Sequence, residues 1–171
     1  MRRVFASIII TVCLVVVNQS CSIKLSGAST QGLKTIYVGY FENDAPQVIS
    51  TLSQNFTEAL KQEIRSGTSL SIIQTQQADA VLTGNIVGYS IAPASIQATS
   101  NNVAPIASAS ALTITVSVKY VNNIDKKDSF EQTFSEPGNF TGDIATQQNA
   151  LIVTITNALT QDIYNKAFAN W

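Results

Sequence analysis

The stretch ALTITVSVKYV, residues 111–121, decides the fold class of this chain. Every even-numbered position from 112 to 120 is apolar, whereas the odd-numbered positions from 113 to 119 are Thr, Thr, Ser and Lys. Such alternation is typical of a β-strand that buries one face and leaves the other wet. The stretch therefore predicts a sheet whose second face, rich in Thr and Ser, meets solvent or a partner.

Four further strands are predicted around this stretch, at Lys34–Phe41, Leu70–Gln74, Ala78–Ile91 and Ser129–Ser135. Within the third of them the apolar residues change faces, from Leu82 and Ile86 to Val87, Tyr89 and Ile91. Gly84 and Gly88 flank this change and predict a β-bulge. NNIDKKD (122–128) predicts a hairpin turn, and EPGNFTG (136–142) predicts that the last strand has ended.

Two helices are predicted from apolar residues at helical spacing. The first has Pro46 of the turn ENDAP (42–46) near its start and Gly67 at its end. Its apolar stripe comprises Val48, Ile49, Leu52, Phe56, Ala59 and Leu60. The second begins at about Ile144, with a stripe comprising Ile144, Leu151, Ile155, Ala158 and Leu159. Near its end Asp162 and Lys166, four residues apart with the acid first, favour an ion pair.

The predicted order of elements is β-α-β-β-β-β-α. A helix between the first two strands is a crossover connection, which makes those two strands parallel, and the remaining pairings can be antiparallel. We therefore expect an α+β fold: a two-layer sandwich with two helices on one face of a mixed, four- to five-stranded sheet.

The N-terminus combines two arginines with an apolar run from Val4 to Val17. As a helix this run is only ~21 Å long, short of the ~30 Å hydrocarbon core of a bilayer. It therefore predicts a secretory signal peptide rather than a membrane anchor. Ser20 before Cys21 resembles the cleavage site of a bacterial lipoprotein signal, although Asn18 and Gln19 depart from the usual lipobox.

We expect residues 1–20 to be removed, Cys21 to be acylated, residues 21–33 to form a tether, and residues 34–171 to form a single domain. The alternative is an ordinary secretory signal that leaves Cys21 as a free thiol. Acylation is favoured because several acyl chains on one residue make a durable anchor, whereas an exported lone thiol is a liability.

Residue types exclude several kinds of chemistry. The chain has no histidine, which is the commonest general base and metal ligand. Without Arg2 and Arg3 it carries eight basic and eleven acidic residues and no basic stripe, which argues against nucleic-acid binding. Asp125 and Asp128 are expected to be solvated turn residues, and Glu63 to reach water or pair with a lysine. We expect a protein that is not an enzyme and needs no cofactor or metal.

No charged residue occurs in the 39 positions from Ala80 to Val118. Within them the segment Ala92–Ser110 is small, polar and interrupted by proline. One interpretation is a flexible hairpin loop. The other is a neutral surface docked into a partner, where unpaired charges would be costly to desolvate. The candidate contact residues are Ser95, Gln97, Asn101, Asn102 and Ser108.

Seven segments in this order resemble the LptE family of lipopolysaccharide-assembly lipoproteins, in its branch outside the enteric bacteria. They are CSIKLSGAS (21–29), YFENDAP (40–46), LSQNFTEALKQEI (52–64), GNIVGYS (84–90), ALTITVSVKY (111–120), FEQTFS (130–135) and DIYNKAFANW (162–171).

This resemblance implies a two-helix sandwich tethered to the inner leaflet of the outer membrane, on its periplasmic side. There it would plug the β-barrel of LptD and assist delivery of lipopolysaccharide to the cell surface. Cys21 would be the lipid attachment site. Lys119, Lys126 and Lys127 are candidates, by charge and location, for contacts with lipopolysaccharide.

Two other functions stay open from the residues. The chain would be a periplasmic lipoprotein that regulates a cell-wall synthase or binds peptidoglycan, in which case a stable complex with the synthase is expected. Alternatively, it would be a hydrolase that uses Asp125, Asp128 or Glu131.

Overall fold

The computed structural model describes residue 30 and residues 32–47, 49–97 and 106–169; for 95–97 and 106–108 it describes the backbone alone. These residues contain six strands, two α-helices and two short 3-10 turns, at Lys126–Asp128 and Ile144–Thr146. The larger elements are β1 (Thr35–Val38), β2 (Glu42–Asn43), α1 (Leu52–Gly67), β3 (Ser71–Ile73), β4 (Ala80–Gln97), β5 (Ile106–Asn122), β6 (Phe130–Phe140) and α2 (Gln148–Phe168).

The strands form one mixed sheet in the order β3-β1-β4-β5-β6, with β2 alongside β4. Strand β1 is parallel to β3, as predicted for strands joined through a helix. It is also parallel to β4, so the allowance for antiparallel pairing is wrong there. The pairs β4–β5 and β5–β6 are antiparallel. Both helices pack on one face of this sheet, and the predicted α+β sandwich is confirmed.

The sheet has six strands rather than four or five because the predicted turn at 42–46 contains β2. Glu42 and Asn43 pair with β4 opposite Asn85 and Ile86, and the Asp44 amide donates to the Ile86 carbonyl at 2.9 Å. Two residues are too few to show a period of two, so the sequence pattern could not predict this strand.

Strand β5 follows the predicted alternation. Its even-numbered positions from 112 to 120 are buried, and its odd-numbered positions from 113 to 119 are half-buried or exposed. The predicted loop at 92–110 is wrong at both ends, because β4 continues to Gln97 and pairs there with Ile106 of β5. Residues 98–105 lie outside the described part of the chain.

The predicted bulge is present, between Ile86 and Gly88 in the pairing of β4 with β5. The predicted change of faces is wrong for Tyr89, because the extra residue Val87 restores the original face. Ile86 lies opposite buried Val116, and Tyr89 lies opposite buried Ile114. Directly opposite residues project to the same side of a sheet, so Tyr89 faces the helices as Ile86 does.

Strand β6 extends through the stretch predicted to end it and stops only at Phe140. Pro137 is tolerated because β6 is an edge strand, where a missing N–H need not interrupt a ladder. Gly138 lies beneath α2, where a side chain would meet Ile155 and Leu151.

Helix α1 begins at Leu52, later than Pro46 suggests, and Pro46 lies in a bend. It ends at the predicted Gly67, after which the Thr68 hydroxyl and amide both donate to the Ile64 carbonyl, at 2.7 and 3.0 Å. Its buried apolar residues are Leu52, Phe56, Leu60 and Ile64; Val48 lies outside the described residues.

Helix α2 begins at Gln148, and the predicted start at Ile144 lies in a separate 3-10 turn. That turn forms because the Asp143 carboxylate accepts from the Ala145 amide at 2.9 Å. The predicted pair of Asp162 with Lys166 is wrong: the Lys166 ammonium lies 5.8 Å from the centre of the Phe130 ring instead.

Within the described residues, neither helix has the length and apolar character needed to cross a membrane.

Candidate functional site

The sheet face turned away from the helices, here called the open face, is polar, and its centre is uncharged. On β5 it presents Thr113, Thr115 and Ser117. The neighbouring strands add Asn85 and Ser90 on β4 and Thr133 and Ser135 on β6, which lie opposite these positions. The hydroxyls of Thr115 and Ser135 are hydrogen-bonded at 3.0 Å. These hydroxyls therefore satisfy part of one another's hydrogen bonding. The charged residues of the face lie around this centre: Glu42 is opposite Asn85, Asp44 accepts from the Asn85 side chain, and Lys119 is beside Glu131.

The β4–β5 hairpin carries this neutral character beyond the rest of the sheet. Strand β6 ends opposite Ser110, and residues 94–97 and 106–109 continue past that point as a two-stranded projection, here called the hairpin arm. At ~3.4 Å per residue the arm is about 14 Å long.

The hairpin arm contains three of the predicted contact residues. Ser95 and Gln97 lie in β4, and Ser108 lies in β5; their side chains are outside the described part of the structure. Asn101 and Asn102 lie outside the described residues altogether, as does Cys21.

The predicted lysines lie at the opposite end of the sheet from the arm. Lys126 and Lys127 form the exposed 3-10 turn between β5 and β6. This turn is braced, because Asn122 Oδ1 accepts from the amides of Ile124 and Asp125 at 2.9 and 2.8 Å. The Asp125 carboxylate in turn accepts from the Lys127 amide at 3.1 Å.

Lys119 occupies a different environment, on the open face, where its ammonium lies 3.7 Å from the Glu131 carboxylate. Both side chains are more than half exposed, so this pair adds little stability. The structure therefore brings Lys126 and Lys127 together and places Lys119 on a separate surface.

A cleft of about 200 Å³ lies beside the braced turn. Its lining comprises Leu33, Tyr120, Asn122, Lys127, Asp128, Ser129, Phe130, Lys166, Ala167 and Phe168. Burial, reinforced by the charge of Asp128, raises the pKa of Tyr120 to about 12, so its phenol is neutral at physiological pH. Lys166 was not predicted as a site residue, because only the packing of α2 against Phe130 brings it beside Lys127.

Asp79 is a second residue that sequence reasoning missed. Its carboxylate accepts from the backbone amides of Lys34 and Thr35 at 2.8 and 2.9 Å, and its own amide donates to the Thr35 hydroxyl at 3.0 Å. These amide donors hold the pKa of Asp79 below its usual range. The contact spans 44 residues of sequence, which no local pattern can reveal.

The carboxylates considered for catalysis lie in contacts that support the fold. Asp125 caps the braced turn, and Glu131 faces Lys119. Glu63 lies near Tyr164, whose pKa is raised by burial and then by that carboxylate, and whose hydroxyl donates to the Gly67 carbonyl at 2.8 Å. Among the described residues, no three His, Cys, Asp or Glu side chains gather as a metal site.

Solved structures share this architecture at low sequence identity. The hypothetical protein CT253 from Chlamydia trachomatis matches with a TM-score of 0.56 and 10% identity, over 81% of this chain and 99% of that one. A putative neuraminyllactose-binding hemagglutinin homolog from Helicobacter pylori matches with a TM-score of 0.53 and 10% identity, over 84% of this chain and 87% of that one. Protein XCC0632 from Xanthomonas campestris matches with a TM-score of 0.52 and 10% identity, over 80% of this chain and 87% of that one. At such identities the likeness concerns the fold alone.

No curated protein matches the chain. The family model LptE, described as lipopolysaccharide-assembly, matches residues 33–167, which include all six strands of the described part of the chain and nearly all of α1 and α2. The chain therefore belongs to the LptE family of lipopolysaccharide-assembly proteins.

Proposed function

We propose that this chain is a non-enzymatic, lipid-anchored subunit of the outer-membrane lipopolysaccharide translocon, which plugs an LptD-type β-barrel and assists its assembly. The observation that carries the proposal is the uncharged stretch of β4 and β5 on the open face, which continues without interruption into the hairpin arm. Family membership supports the role in lipopolysaccharide assembly.

A neutral, hydroxyl-rich face suits the inside of a barrel for a physical reason. Charged groups that lose water on docking cost several kcal/mol unless each finds a partner, whereas hydroxyls and amides are satisfied by many arrangements of donors and acceptors. Wide outer-membrane barrels have polar interiors. Between Lys119 and the end of the hairpin arm, β5 presents no charge that would need such a partner.

The anchor and the lipid contacts complete the proposal. Residues 1–20 are removed, Cys21 carries the acyl chains at the periplasmic face of the outer membrane, and residues 21–33 connect it to the domain at 34–171. Lys119, Lys126 and Lys127 remain candidates for contact with lipopolysaccharide. Their exposed ammonium groups support that assignment.

The proposal is tested by a photoreactive amino acid placed on each side of the molecule in living cells. Thr133 is exposed on the open face, and Val153 is an exposed residue of α2 on the helical side. We expect the group at position 133 to crosslink to a large barrel protein and the group at position 153 to give no such product. Mass spectrometry then identifies the partner.

Equal crosslinking at both positions, or none at 133, would contradict the docking face. Capture of a cell-wall synthase at position 133 would favour the regulatory alternative. A matched charge pair gives a second measurement: Thr133→Lys should lower co-purification of the barrel several-fold, because it buries an unpaired ammonium. Val153→Lys should leave co-purification unchanged.

A further inference from the structure

The tip of the braced turn exposes a large aliphatic side chain. Ile124 is 59% exposed, although it stands between two hydrogen-bonded turn residues, and it does not belong to the hydrophobic core. Lys126 and Lys127 follow it at once and are also exposed. An exposed aliphatic group beside lysines suits the boundary of a bilayer. There the aliphatic side chain reaches the acyl chains, and the lysine ammonium groups contact the phosphates.

The chain segment that leads to Cys21 enters the domain at this same place. A Cβ on Gly32 would lie 4.0 Å from Ile124 Cγ2, and Leu33 lines the cleft beside Lys127. The eleven residues from Ser22 to Gly32 span at most ~40 Å. An anchor at Cys21 therefore holds Ile124 within that distance of the bilayer.

Charge is distributed unequally between the two ends of the sheet. Four exposed lysines lie at the end where the tether enters: Lys34, Lys126, Lys127 and Lys166. Three acids lie at the same end, Asp79, Asp125 and Asp128, so that the lysines there outnumber the acids by only one. Toward the hairpin arm, the charged residues of the described sheet and its turns are all acids: Glu42, Asp44, Glu136 and Asp143. An anionic surface therefore repels the second end and favours contact with the first.

We propose that the surface formed by Ile124, Lys34, Lys126, Lys127 and Lys166, here called the basal surface, lies on the phospholipid bilayer that holds the anchor. Ile124 enters the interface, and the lysines contact the phosphates of anionic phospholipids. The inference rests on the acylation of Cys21 proposed above. Because the tether already holds the domain at high local concentration, contacts too weak to recruit a free protein suffice to orient it.

This orientation describes the anchored protein before it meets a barrel. The hairpin arm lies at the opposite end of the sheet, so it points away from the leaflet and toward the periplasm. A barrel chain arriving from the periplasm would then meet the arm first.

The test uses the full chain, as exported and processed by the cell, with a single fluorescent reporter. Trp171 is the only tryptophan and is replaced by Phe, so that Ile124→Trp and Val153→Trp can each be introduced alone. Val153 is the matched control, because it is a similarly exposed aliphatic residue, at 54%, away from the basal surface. Each protein is placed in vesicles of phosphatidylethanolamine and phosphatidylglycerol that contain lipids brominated on their acyl chains.

We expect a blue-shifted emission and roughly a twofold loss of fluorescence to brominated lipid at position 124, and almost no loss at position 153. Replacing phosphatidylglycerol with phosphatidylcholine should reduce the quenching at 124. The double variant Lys126→Gln with Lys127→Gln should also reduce the quenching at 124. Lys61→Gln on α1 should leave it unchanged.

Equal quenching at both positions, or none at 124, would overturn the inference. Quenching at 124 that requires lipopolysaccharide in the vesicles would also overturn it, by assigning the surface to that lipid. The mass of the N-terminal peptide separately reports acyl chains on Cys21. An acylated protein with an aqueous reporter at 124 refutes the basal surface and leaves the proposed function standing, whereas a bare Cys21 counts against the anchor in that function.

Discussion

Asp79 and Gly84 show how single residues hold this sheet together through contacts far apart in sequence. Asp79 ties the start of β4 to the start of β1, and its carboxylate is held ionised by two backbone amides. Gly84 leaves room for the Ser117 carbonyl and the Phe41 ring. The sequence pattern predicts Gly84 only as a neighbour of the bulge, because its true role depends on two strands and a side chain that local sequence does not bring together.

Replacement of Asp79 by Asn should lower the melting temperature by a few degrees at pH 7, because charge-assisted hydrogen bonds become neutral ones. The pKa of Asp79 is lowered in the folded protein, so its stabilisation is present above the unfolded value of about 3.9 and is lost as pH falls through the folded value. Thermal unfolding from pH 7 to pH 3 should show the two proteins converging. Asp128→Asn serves as the control, and a gap independent of pH would contradict the role of the charge.

Gly84→Ala should reduce the free energy of unfolding by roughly 2–3 kcal/mol, because a methyl group there meets the Ser117 backbone carbonyl and the fully buried Phe41 ring. Gly142→Ala is the comparison: no atom lies within 4 Å of a Cβ there, but its φ of +77° strains any other residue, at about 1 kcal/mol. Urea denaturation measures both. A loss at Gly84 no larger than that at Gly142 would show that the strands can separate to make room.

At the scale of elements, patterns of apolar residues predict the central strands and both helices, because burial on one face leaves a period in the sequence. These patterns fail for a segment that becomes a strand only because another strand pairs with it. The segment 92–97 contains Pro93 and small polar residues typical of a loop, yet it forms a strand because β5 lies beside it. Lys126 and Lys127 could be named from charge, whereas Lys166 joins them only through the packing of α2.

The contact of α2 with β6 includes two acids, Glu136 and Asp162. Burial, and then the neighbouring Asp162, raise the pKa of Glu136. A raised pKa means that the folded state holds its proton more tightly than the unfolded chain does. This pair therefore destabilises the fold increasingly as pH rises above about 4.5 and through the folded value.

Glu136→Gln should consequently raise the melting temperature at pH 7 by roughly 1–3 °C and change little at pH 4. Glu131→Gln on the open face is the control, because its exposed pair with Lys119 contributes little. An equal gain at both pH values would indicate better packing rather than relief of repulsion.

At the scale of the whole molecule, the two ends of the sheet differ in chemistry. One end carries the segment that leads toward Cys21, four lysines, three acids and the cleft, and the other carries the neutral hairpin arm and acids alone. The sequence predicts the anchored N-terminus and the charge-free stretch separately, but not that they lie at opposite ends of the sheet. Its geometry comes from the topology, which places the start of β1 and the end of β5 on the two sides of the start of β4.

Cys21→Ala should release the protein from membranes into the soluble periplasmic fraction without changing its fold, because only the acyl chains provide a durable anchor. Fractionation measures the release, and circular dichroism of the released protein checks the fold. Lys24→Ala, in the same tether, is the control and should stay with the membrane. A Cys21→Ala protein that sediments with membranes to the same extent would show that docking to a partner is sufficient for retention.

The position of β1 between two parallel neighbours determines how the domain resists mechanical load. Any tension on the segment before Leu33 reaches the sheet through Lys34 and Thr35, whose amides donate hydrogen bonds to the Asp79 carboxylate. A pull along the axis of β1 loads its hydrogen bonds to β3 and β4 together in shear, instead of peeling them apart one by one. We therefore expect the fold to withstand a pull transmitted from the proposed lipid attachment at Cys21, and the hydrogen bonds to Asp79 to break before those between strands.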